Sequence, residues 1–383
     1  MSSEVNSETK SDEIQNKENI RLGFGCMRFP HDKNLTEKLI SAAVEKGITY
    51  FDTAYVYPGS EKTLGDIVFR NNLRNKIQIA TKLPLFKTRT REDMTTLFED
   101  SLSRLKTDYI DFYLMHNLST FEEWERLKGL GVLGFIEKEK KAGRIKKAGF
   151  SFHGTRQTFI KLIDDYDWDF CQIQYNYMNE TYQAGTYGLD YAKSKGIPVI
   201  IMEPLLGGRL IGGLPKKAAE ILKENSVTPA EFAFRWLYNQ DGVDVVLSGM
   251  NGMDMLFENI AIAESKKIYP AELYDEVKDI FSESYKVPCT GCNYCMPCPV
   301  GVSIPSSFTA YNSSFAISKF TGLQLYLTSV SSGVSAKKCI NCGKCKSRCP
   351  QHIDIPTELT RVVSRLEPWY VSMIMNLIRG KKK

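Results

Sequence analysis

Short apolar runs rich in β-branched residues alternate with longer amphipathic stretches over the first 285 residues of the chain. This alternation is typical of βα units that build a parallel sheet. The predicted strands are 21–25, 48–52, 77–82, 109–115, 145–150, 170–174, 197–202 and 243–248. The predicted helices between them include 36–46, 91–105, 121–142, 155–164, 185–195, 215–224 and 229–239.

Eight βα units within roughly 265 residues are the size of a TIM (β/α)8 barrel. A doubly wound parallel sheet is the alternative fold, because it is assembled from the same units. No G-x-G-x-x-G motif follows the first predicted strand, so the phosphate-binding turn of a Rossmann fold is missing. The pattern therefore predicts an α/β chain whose larger part is a TIM barrel.

Cysteine is distributed very unevenly along the chain. Cys26 and Cys171 are the only two of ten cysteines in the first 288 residues, and the other eight lie within 289–349. This change in density predicts a domain boundary near 284–288. The expected parts are a disordered polar lead-in (1–19), the barrel (20–285), a small α-rich domain with the clustered cysteines (286–360) and a C-terminal helix with a basic tail (361–383).

The eight clustered cysteines form two motifs. The second motif is C-x2-C-x2-C-x3-C-P, the bacterial ferredoxin run, in which three thiolates bind one [4Fe-4S] cluster and the fourth binds the other. The first motif is shorter by one residue before Cys298. By this crossed rule the predicted ligand sets are Cys289, Cys292, Cys295 and Cys349 for one cluster, and Cys339, Cys342, Cys345 and Cys298 for the other. A pair of zinc sites is the alternative, since C-x2-C pairs also suit tetrahedral zinc. Residues 286–360 are therefore predicted to form a small α-rich ferredoxin-like dicluster domain, with a helix near 306–328 between the motifs.

Composition and charge narrow the class of protein. The 383 residues are 43% hydrophobic and 25% charged with a formal net charge of +5, which is ordinary for a globular chain and indicates no nucleic-acid surface. No run reaches the roughly 18 apolar residues of a transmembrane helix, and residues 1–19 have no apolar core of a signal peptide. We therefore expect a cytoplasmic protein whose cysteines bind metal or take part in catalysis and do not form structural disulfides. The apolar stretch 369–378 fits either a membrane-surface helix or a segment packed on its own domain.

Polar residues with plausible catalytic roles follow three successive predicted strands. Asp52 ends the second, Lys82 the third and His116 the fourth, and Tyr55 and Tyr57 follow Asp52. Active sites of TIM barrels lie at this carboxyl edge. An ammonium beside a phenol stabilises the phenolate, so a Tyr–Lys pair can donate a proton to a carbonyl. Local sequence does not choose between the two tyrosines.

The segments GITYFDTAYVYPGSEKTLG (47–65), IATKL and DFYLMH resemble motifs of the aldo-keto reductase family. The resemblance implies a catalytic tetrad of Asp52, Tyr57, Lys82 and His116, with Tyr57 as proton donor, Lys82 and Asp52 tuning it, and His116 orienting the carbonyl. It also implies hydride transfer between NAD(P)H and a small aldehyde or ketone. With the cysteine motifs, residues 20–360 resemble an iron-sulfur subfamily of these enzymes.

The resemblance extends to the nicotinamide cofactor. It implies contacts at the first strand, at strands five and six, in the loop 202–210 and after the eighth strand. The residues are Gly25, Cys26, Met27, Ser151, Gln172, Glu203, Pro204, Leu205, Gly207, Arg209, Ser248, Gly249, Met250, Glu258 and Asn259. Phe152 and His153 stand where the family has asparagine, and Met250 and Asn251 stand where it has a basic residue for a 2′-phosphate. The choice between NADP and NAD stays open, with Arg209 as a candidate partner of the phosphate.

The predicted barrel and the predicted cluster domain would transfer different numbers of electrons. Hydride transfer moves two electrons, whereas each cluster passes one, so a converter such as flavin would be needed to connect them, and the sequence has no recognisable flavin motif. Three interpretations follow: an ordinary reductase with structural or oxygen-sensing clusters, a relay between a ferredoxin or other electron-transfer protein and the barrel, or an electron carrier or redox sensor whose barrel is not catalytic.

Overall fold

The computed structural model describes residues 20–332 and 334–368. The expectations for residues 1–19 and 369–383 lie outside these ranges. The chain forms two compact units, of which the first contains the residues up to Pro204 and Ala233–Ile268, and the second contains Leu205–Phe232 and the residues from Tyr269 onward. Among the described helices, none has the length and apolar character needed to cross a bilayer.

The first unit is a closed barrel of eight parallel strands in sequence order, which confirms the predicted TIM fold. Strand β1 pairs with both β2 and β8 and so closes the barrel. The strands are β1 (Leu22–Gly25), β2 (Tyr50–Asp52), β3 (Gln78–Pro84), β4 (Ile110–His116), β5 (Ile145–Phe152), β6 (Phe170–Gln174), β7 (Val199–Met202) and β8 (Val243–Ser248).

Large side chains fill the barrel interior. The ring centroids of Tyr50 and Phe112 are 4.9 Å apart, and those of Phe112 and Phe170 are 5.0 Å apart. A Cβ at Gly23 would lie 2.7 Å from the Leu247 side chain, so only glycine leaves room for this layer. The interior is therefore a packed core, and the carboxyl ends of the strands carry the polar groups.

Helices of the first unit follow the strands. They are α1 (Lys33–Glu45), α2 (Ser60–Arg70), α3 (Arg91–Leu105), α4 (Phe121–Gly129), α5 (Val132–Lys141), α6 (Arg156–Asp165), α7 (Gly185–Ser194) and α11 (Met253–Glu264). The single helix expected over 121–142 is two helices, because Gly131 adopts a left-handed conformation with φ 87° between them.

The second unit is helical. Its helices are α8 (Arg209–Gly212), α9 (Lys216–Glu224), α12 (Ala271–Ser284), α13 (Ile304–Ala316), α14 (Lys319–Ser332) and α15 (Ile355–Leu366), and α10 (Pro229–Tyr238) begins in it. Val302, Phe308, Tyr326 and Val362 are fully buried in its core, and the cysteine segments pack against this core. The one helix expected near 306–328 is the pair α13 and α14, because Ser318 caps a new helix by accepting a hydrogen bond from Thr321 N (3.1 Å).

The division into units differs from the boundary that the cysteine density indicated near 284–288. Residues 205–232, which lie in the predicted barrel, belong to the second unit. Helix α9 packs on α12, and Arg209 is bonded to Cys289. Because of these long-range contacts, residues 205–232 pack within the unit that contains the cysteine motifs.

Candidate active site and cysteine centres

Asp52 and Lys82 form a buried ion pair at the carboxyl ends of β2 and β3. Lys82 Nζ lies 2.7 Å from both carboxylate oxygens of Asp52 and 2.7 Å from the Thr53 carbonyl oxygen. Lys82 is only 1% exposed and Asp52 only 5%. Burial raises the pKa of Asp52, while the Lys82 ammonium and the Gln172 amide oppose that rise. Since each charge is satisfied by the other, both side chains are held in one geometry.

Tyr57, not Tyr55, lies with this ion pair. Lys82 Nζ is 5.3 Å from the centroid of the Tyr57 ring, and the Tyr57 and His116 rings are 6.0 Å apart at 89°. The Tyr55 hydroxyl instead donates to Asp100 Oδ2 (3.0 Å), and Arg104 covers its ring at 4.1 Å. The structure thus separates two tyrosines that local sequence could not.

His116 is the last residue of β4 and faces the same group of side chains. Burial, followed by the charge of Lys82 and the proximity of His153, holds the pKa of His116 well below its usual 6.5. The imidazole is therefore neutral near pH 7 and offers one N–H donor and one acceptor. The four residues of the expected tetrad are brought together at one edge of the barrel.

Gln172 on β6 connects the ion pair to the predicted nicotinamide contacts. Its Nε2 donates to Asp52 Oδ2 (3.3 Å). Its Oε1 is buried and has no hydrogen-bond partner among the described residues. A buried acceptor without a donor costs about 1–3 kcal/mol, so the site fits a ligand that brings an N–H group, as a carboxamide does.

Two further predicted nicotinamide contacts, Ser151 on β5 and Cys26 directly after β1, are already engaged with the protein, as is His153, which stands where the family has asparagine. Ser151 Oγ accepts from Asn117 N (2.8 Å), and His153 Nδ1 bonds with Gln183 Oε1 (3.2 Å). The fully buried Cys26 donates its thiol to Phe24 O (3.6 Å). Burial raises the pKa of the Cys26 thiol well above its usual value, as expected for a small core residue.

The strand ends β1 and β8 meet at the predicted adenosine region. A Cβ on Gly25 would lie 3.4 Å from the Ser248 backbone, and Asn259 Nδ2 donates to Ser248 Oγ (3.0 Å). Met250 is buried, whereas Glu258 is exposed. Ser248, Gly249 and Asn259 therefore lie together beside the first strand.

The loop after β7 is held by the cysteine segment. The Arg209 guanidinium donates to the Cys289 carbonyl oxygen and to Thr309 Oγ1 (2.9 Å), and the Tyr285 hydroxyl donates to the same carbonyl (3.0 Å). Both Nε and Nη2 of the guanidinium thus form hydrogen bonds within the second unit. Arg209, which the sequence offered as a partner for a 2′-phosphate, serves as a structural donor in this arrangement.

The eight cysteines surround two cavities in the crossed grouping. Cys289, Cys292, Cys295 and Cys349 line the first cavity. Cys298, Cys339, Cys342 and Cys345 line the second, and Cys295 reaches both. None of the eight forms a disulfide bond within the described part of the chain, and no three metal-binding side chains there converge closely enough to hold a single ion. Thiols around a cavity fit a polynuclear cluster better than one tetrahedral zinc.

Electrostatics of the thiols agree with this grouping. Burial and then the neighbouring thiols of Cys289, Cys292 and Cys349 raise the pKa of Cys295 to about 12. Thiols that are this hard to ionise alone become thiolates when iron replaces their protons. The thiols around the first cavity therefore fit a group that supplies positive charge.

Sequence reasoning missed the polar supports of the first motif. Asn312 is buried on α13, accepts from Lys286 N (3.1 Å) and Val287 N (3.0 Å), and donates to Val287 O (2.8 Å). It thereby fixes the chain two residues before Cys289. An isolated asparagine within a helix gives no sequence signal for this role.

Two family models match successive parts of the chain. Residues 21–280 match the aldo/keto reductase family model, and residues 288–353 match a 4Fe-4S dicluster domain. The uncharacterized oxidoreductase YqkF of Bacillus subtilis is 25% identical over 66% of this chain and 90% of its own length. The methylglyoxal reductase YeaE of Escherichia coli is 28% identical over 53% of this chain and 70% of its own length.

Solved structures share the barrel fold. An aldo-keto reductase from Bacillus halodurans superposes with a TM-score of 0.57 at 23% identity over 68% of this chain and 91% of its own. One from Klebsiella pneumoniae in complex with NADPH gives 0.56 at 21% identity over 68% and 90%. This chain thus belongs to the aldo/keto reductase family of oxidoreductases and joins the family's barrel to a 4Fe-4S dicluster domain.

Proposed function

We propose that the barrel reduces a small aldehyde or ketone with NAD(P)H, and that the second unit holds two [4Fe-4S] clusters. The observation that carries the first part is the position of Tyr57, between the buried Lys82–Asp52 pair and the neutral His116. The nicotinamide supplies the hydride when bound. The chain's own residues supply the proton and the electrostatic setting.

Tyr57 acts as the general acid. Its hydroxyl gives its proton to the carbonyl oxygen as charge develops there. The Lys82 ammonium stabilises the phenolate that remains, and Asp52 keeps Lys82 in place and balances its charge. His116 is neutral, so its N–H can hold the carbonyl oxygen without competing as an acid.

Gln172 is proposed to hold the nicotinamide ring. Its unpartnered Oε1 accepts from the carboxamide, while its Nε2 stays on Asp52. The same side chain therefore relates the position of the cofactor to that of the ion pair. The Klebsiella pneumoniae relative in complex with NADPH supports a nicotinamide dinucleotide as the ligand.

The choice between NADPH and NADH depends on a phosphate contact. Residues 248–264, which cover the loop after β8 and helix α11, contain no lysine or arginine, and Arg209 is engaged with Cys289. A 2′-phosphate without a cationic partner loses a charge-assisted hydrogen bond of about 1.5–3 kcal/mol. We therefore propose that the enzyme uses both cofactors, with kcat/KM values within about tenfold of each other.

Replacing Tyr57 tests the reductase proposal. Anaerobic oxidation of NADPH with methylglyoxal as the probe carbonyl should slow by about 100-fold or more in Tyr57→Phe, the contribution of a positioned general acid. Tyr55→Phe is the matched control, because it removes the same hydroxyl from a ring that contacts Asp100 and Arg104. Unchanged turnover in Tyr57→Phe, or equal loss in both variants, would refute this mechanism.

The cluster proposal has its own measurement. Anaerobically purified protein should contain about eight iron and eight sulfide ions per chain, the content of two [4Fe-4S] clusters. Its visible absorption should bleach when dithionite is added. A colourless protein that contains zinc would refute the clusters and leave the reductase proposal standing.

A second candidate function is electron transfer or redox sensing by the clusters themselves. The observation that favours it is the exposure of Cys342, which places one edge of the second cavity at the surface. The two functions differ in the number of electrons transferred in one step, since each cluster passes one electron and the nicotinamide gives two. Carbonyl reduction that persists after the clusters are removed would assign the chemistry to the barrel alone.

A further inference from the structure

The second cysteine motif is strongly cationic, and the first is not. Residues 337–348 contain five lysine or arginine residues and no acidic residue. Residues 289–298, the first motif, contain no charged residue at all. The five cations are Lys337, Lys338, Lys344, Lys346 and Arg348. Of the two cysteine motifs, only the second therefore carries positive charge.

These cations lie at the surface. All five are exposed, and Lys346 is partly neutralised by Asp354 at 3.1 Å. The other four form no ion pair with any residue in the described ranges. Ile340, between the ligands Cys339 and Cys342, is 62% exposed. An exposed apolar residue within a segment of exposed cations has the composition of a transient protein interface.

The two cluster sites differ in access. The first cavity is walled by Ile304, Phe308, Ile353 and Ile355, and its ligand Cys289 is only 8% exposed. The second cavity has the exposed Cys342 among its ligands and Lys344 and Arg348 at its rim. Cys295 lines both cavities, so the two sites are neighbours. The second site is therefore the surface end of a two-site path.

We propose that residues 337–348 form the docking surface of an acidic protein that carries one electron, such as a ferredoxin. The carrier loses one electron and the second cluster gains it, and the electron then passes to the first cluster through the region that Cys295 shares. No bond is made and no proton moves. This inference rests on the two clusters proposed above and does not depend on the hydride-transfer mechanism.

Electrostatics explain why an acidic carrier fits. Complementary charge steers encounter and raises association rates from about 10⁵–10⁶ to as much as about 10⁸–10⁹ M⁻¹s⁻¹ at low salt, and these rates fall as salt is added. Exposed charges act over about 8–10 Å near physiological salt. A carrier held by this patch is thus held beside Cys342. Single-stranded nucleic acid fits less well, because residues 337–348 contain no aromatic residue on which a base could stack.

Charge reversal tests the surface in the full-length protein. The measurement is stopped-flow reduction of the oxidised, cluster-loaded protein by a reduced plant-type [2Fe-2S] ferredoxin of acidic isoelectric point. The triple variant Lys337→Glu, Lys338→Glu, Lys344→Glu should lower the second-order rate constant at low salt by at least about tenfold and remove most of its salt dependence. The matched control reverses Lys216, Lys217 and Lys223, which are exposed on α9 and change the net charge equally.

Two further measurements test whether the clusters are intact and whether Ile340 contributes to docking. Iron content, and the extent of bleaching by dithionite at high salt, should match wild type in both triple variants, which shows that the clusters are intact. Ile340→Gln should slow reduction by ferredoxin at every salt concentration, because it removes the exposed apolar side chain and leaves the charge unchanged.

The results that would contradict the docking surface differ from the result that would contradict the clusters. Equal rates in wild type and the Lys337 triple variant, or equal losses in the two triple variants, would overturn the docking surface. Binding of wild type to anionic vesicles that the triple variant loses, with unchanged ferredoxin rates, would also overturn it and assign the patch to a membrane. An absence of iron in the wild-type protein would instead refute the cluster proposal.

Discussion

Gly207 lies directly against the carbonyl oxygen of Thr290. Its φ is 67°, and a Cβ at this position would sit 1.9 Å from that oxygen. The neighbouring Gly208 also has a positive φ, 91°, but a Cβ there would meet no atom within 4 Å. Two adjacent glycines therefore share the same backbone requirement, and only one of them makes a close backbone contact with the first cysteine motif.

Alanine substitution at these two glycines should have very different effects. Each variant incurs the cost of a left-handed L-residue, about 1–2 kcal/mol. Gly207→Ala must in addition displace the Thr290 backbone, so we expect it to lose at least about 2 kcal/mol more stability than Gly208→Ala. Iron content and the rate of iron release to a chelator should show the same order. Equal losses at both positions would contradict the contact.

Residues 203–209 show where sequence reasoning stops. The motif MEPLLGGRL identified the loop and indicated a role in nucleotide binding, because its local pattern resembles the family. The contacts of Gly207 with Thr290 and of Arg209 with Cys289 span 80 residues or more in sequence, and no local pattern encodes them. The partners of this loop were therefore visible only in the fold.

Replacing Gln172 should weaken cofactor binding. In Gln172→Leu the acceptor for the carboxamide is lost, so the Kd for NADPH measured by titration calorimetry should rise by up to about tenfold, the equivalent of one neutral hydrogen bond. Gln78→Leu is a suitable control. Gln78 also has a buried Oε1 without a hydrogen-bond partner among the described residues, but it is the first residue of β3 and so lies at the edge of the barrel opposite the site. Equal effects on Kd in the two variants would count against the proposed contact.

Elements with strong local signals were predicted well. Helix α3 was predicted at its observed bounds, 91–105, and Thr90 and Asp93 form a capping box at its start. Strands β6 and β8 also have their predicted bounds. The break at Gly131 was missed, because a glycine within an amphipathic pattern is tolerated in many helices. The pairing of Tyr57 with Lys82 required the barrel to bring β2 and β3 side by side.

Removing one member of the Lys82–Asp52 pair should destabilise the barrel strongly. Lys82→Met leaves the Asp52 carboxylate buried at 5% exposure without its ammonium, and such a change costs about 3–5 kcal/mol. The double variant Lys82→Met, Asp52→Leu removes both charges and should recover much of that loss. Chemical denaturation of the single and double variants measures the coupling. Additive losses would show that the two side chains do not act as a pair.

His116 should make the stability of the barrel depend on pH. Burial holds the pKa of His116 well below 6.5, so between that lowered pKa and 6.5 the unfolded state binds more protons than the folded state. The free energy of unfolding therefore rises with pH across this window and is lost as pH falls, with a slope of up to about 1.4 kcal/mol per pH unit. Because Gln does not titrate, His116→Gln should remove this slope below pH 6.5 and leave the profile above it parallel to wild type. Comparison of the two proteins cancels any contribution of the clusters to acid sensitivity, so identical slopes below pH 6.5 would show that the imidazole is not held neutral by burial.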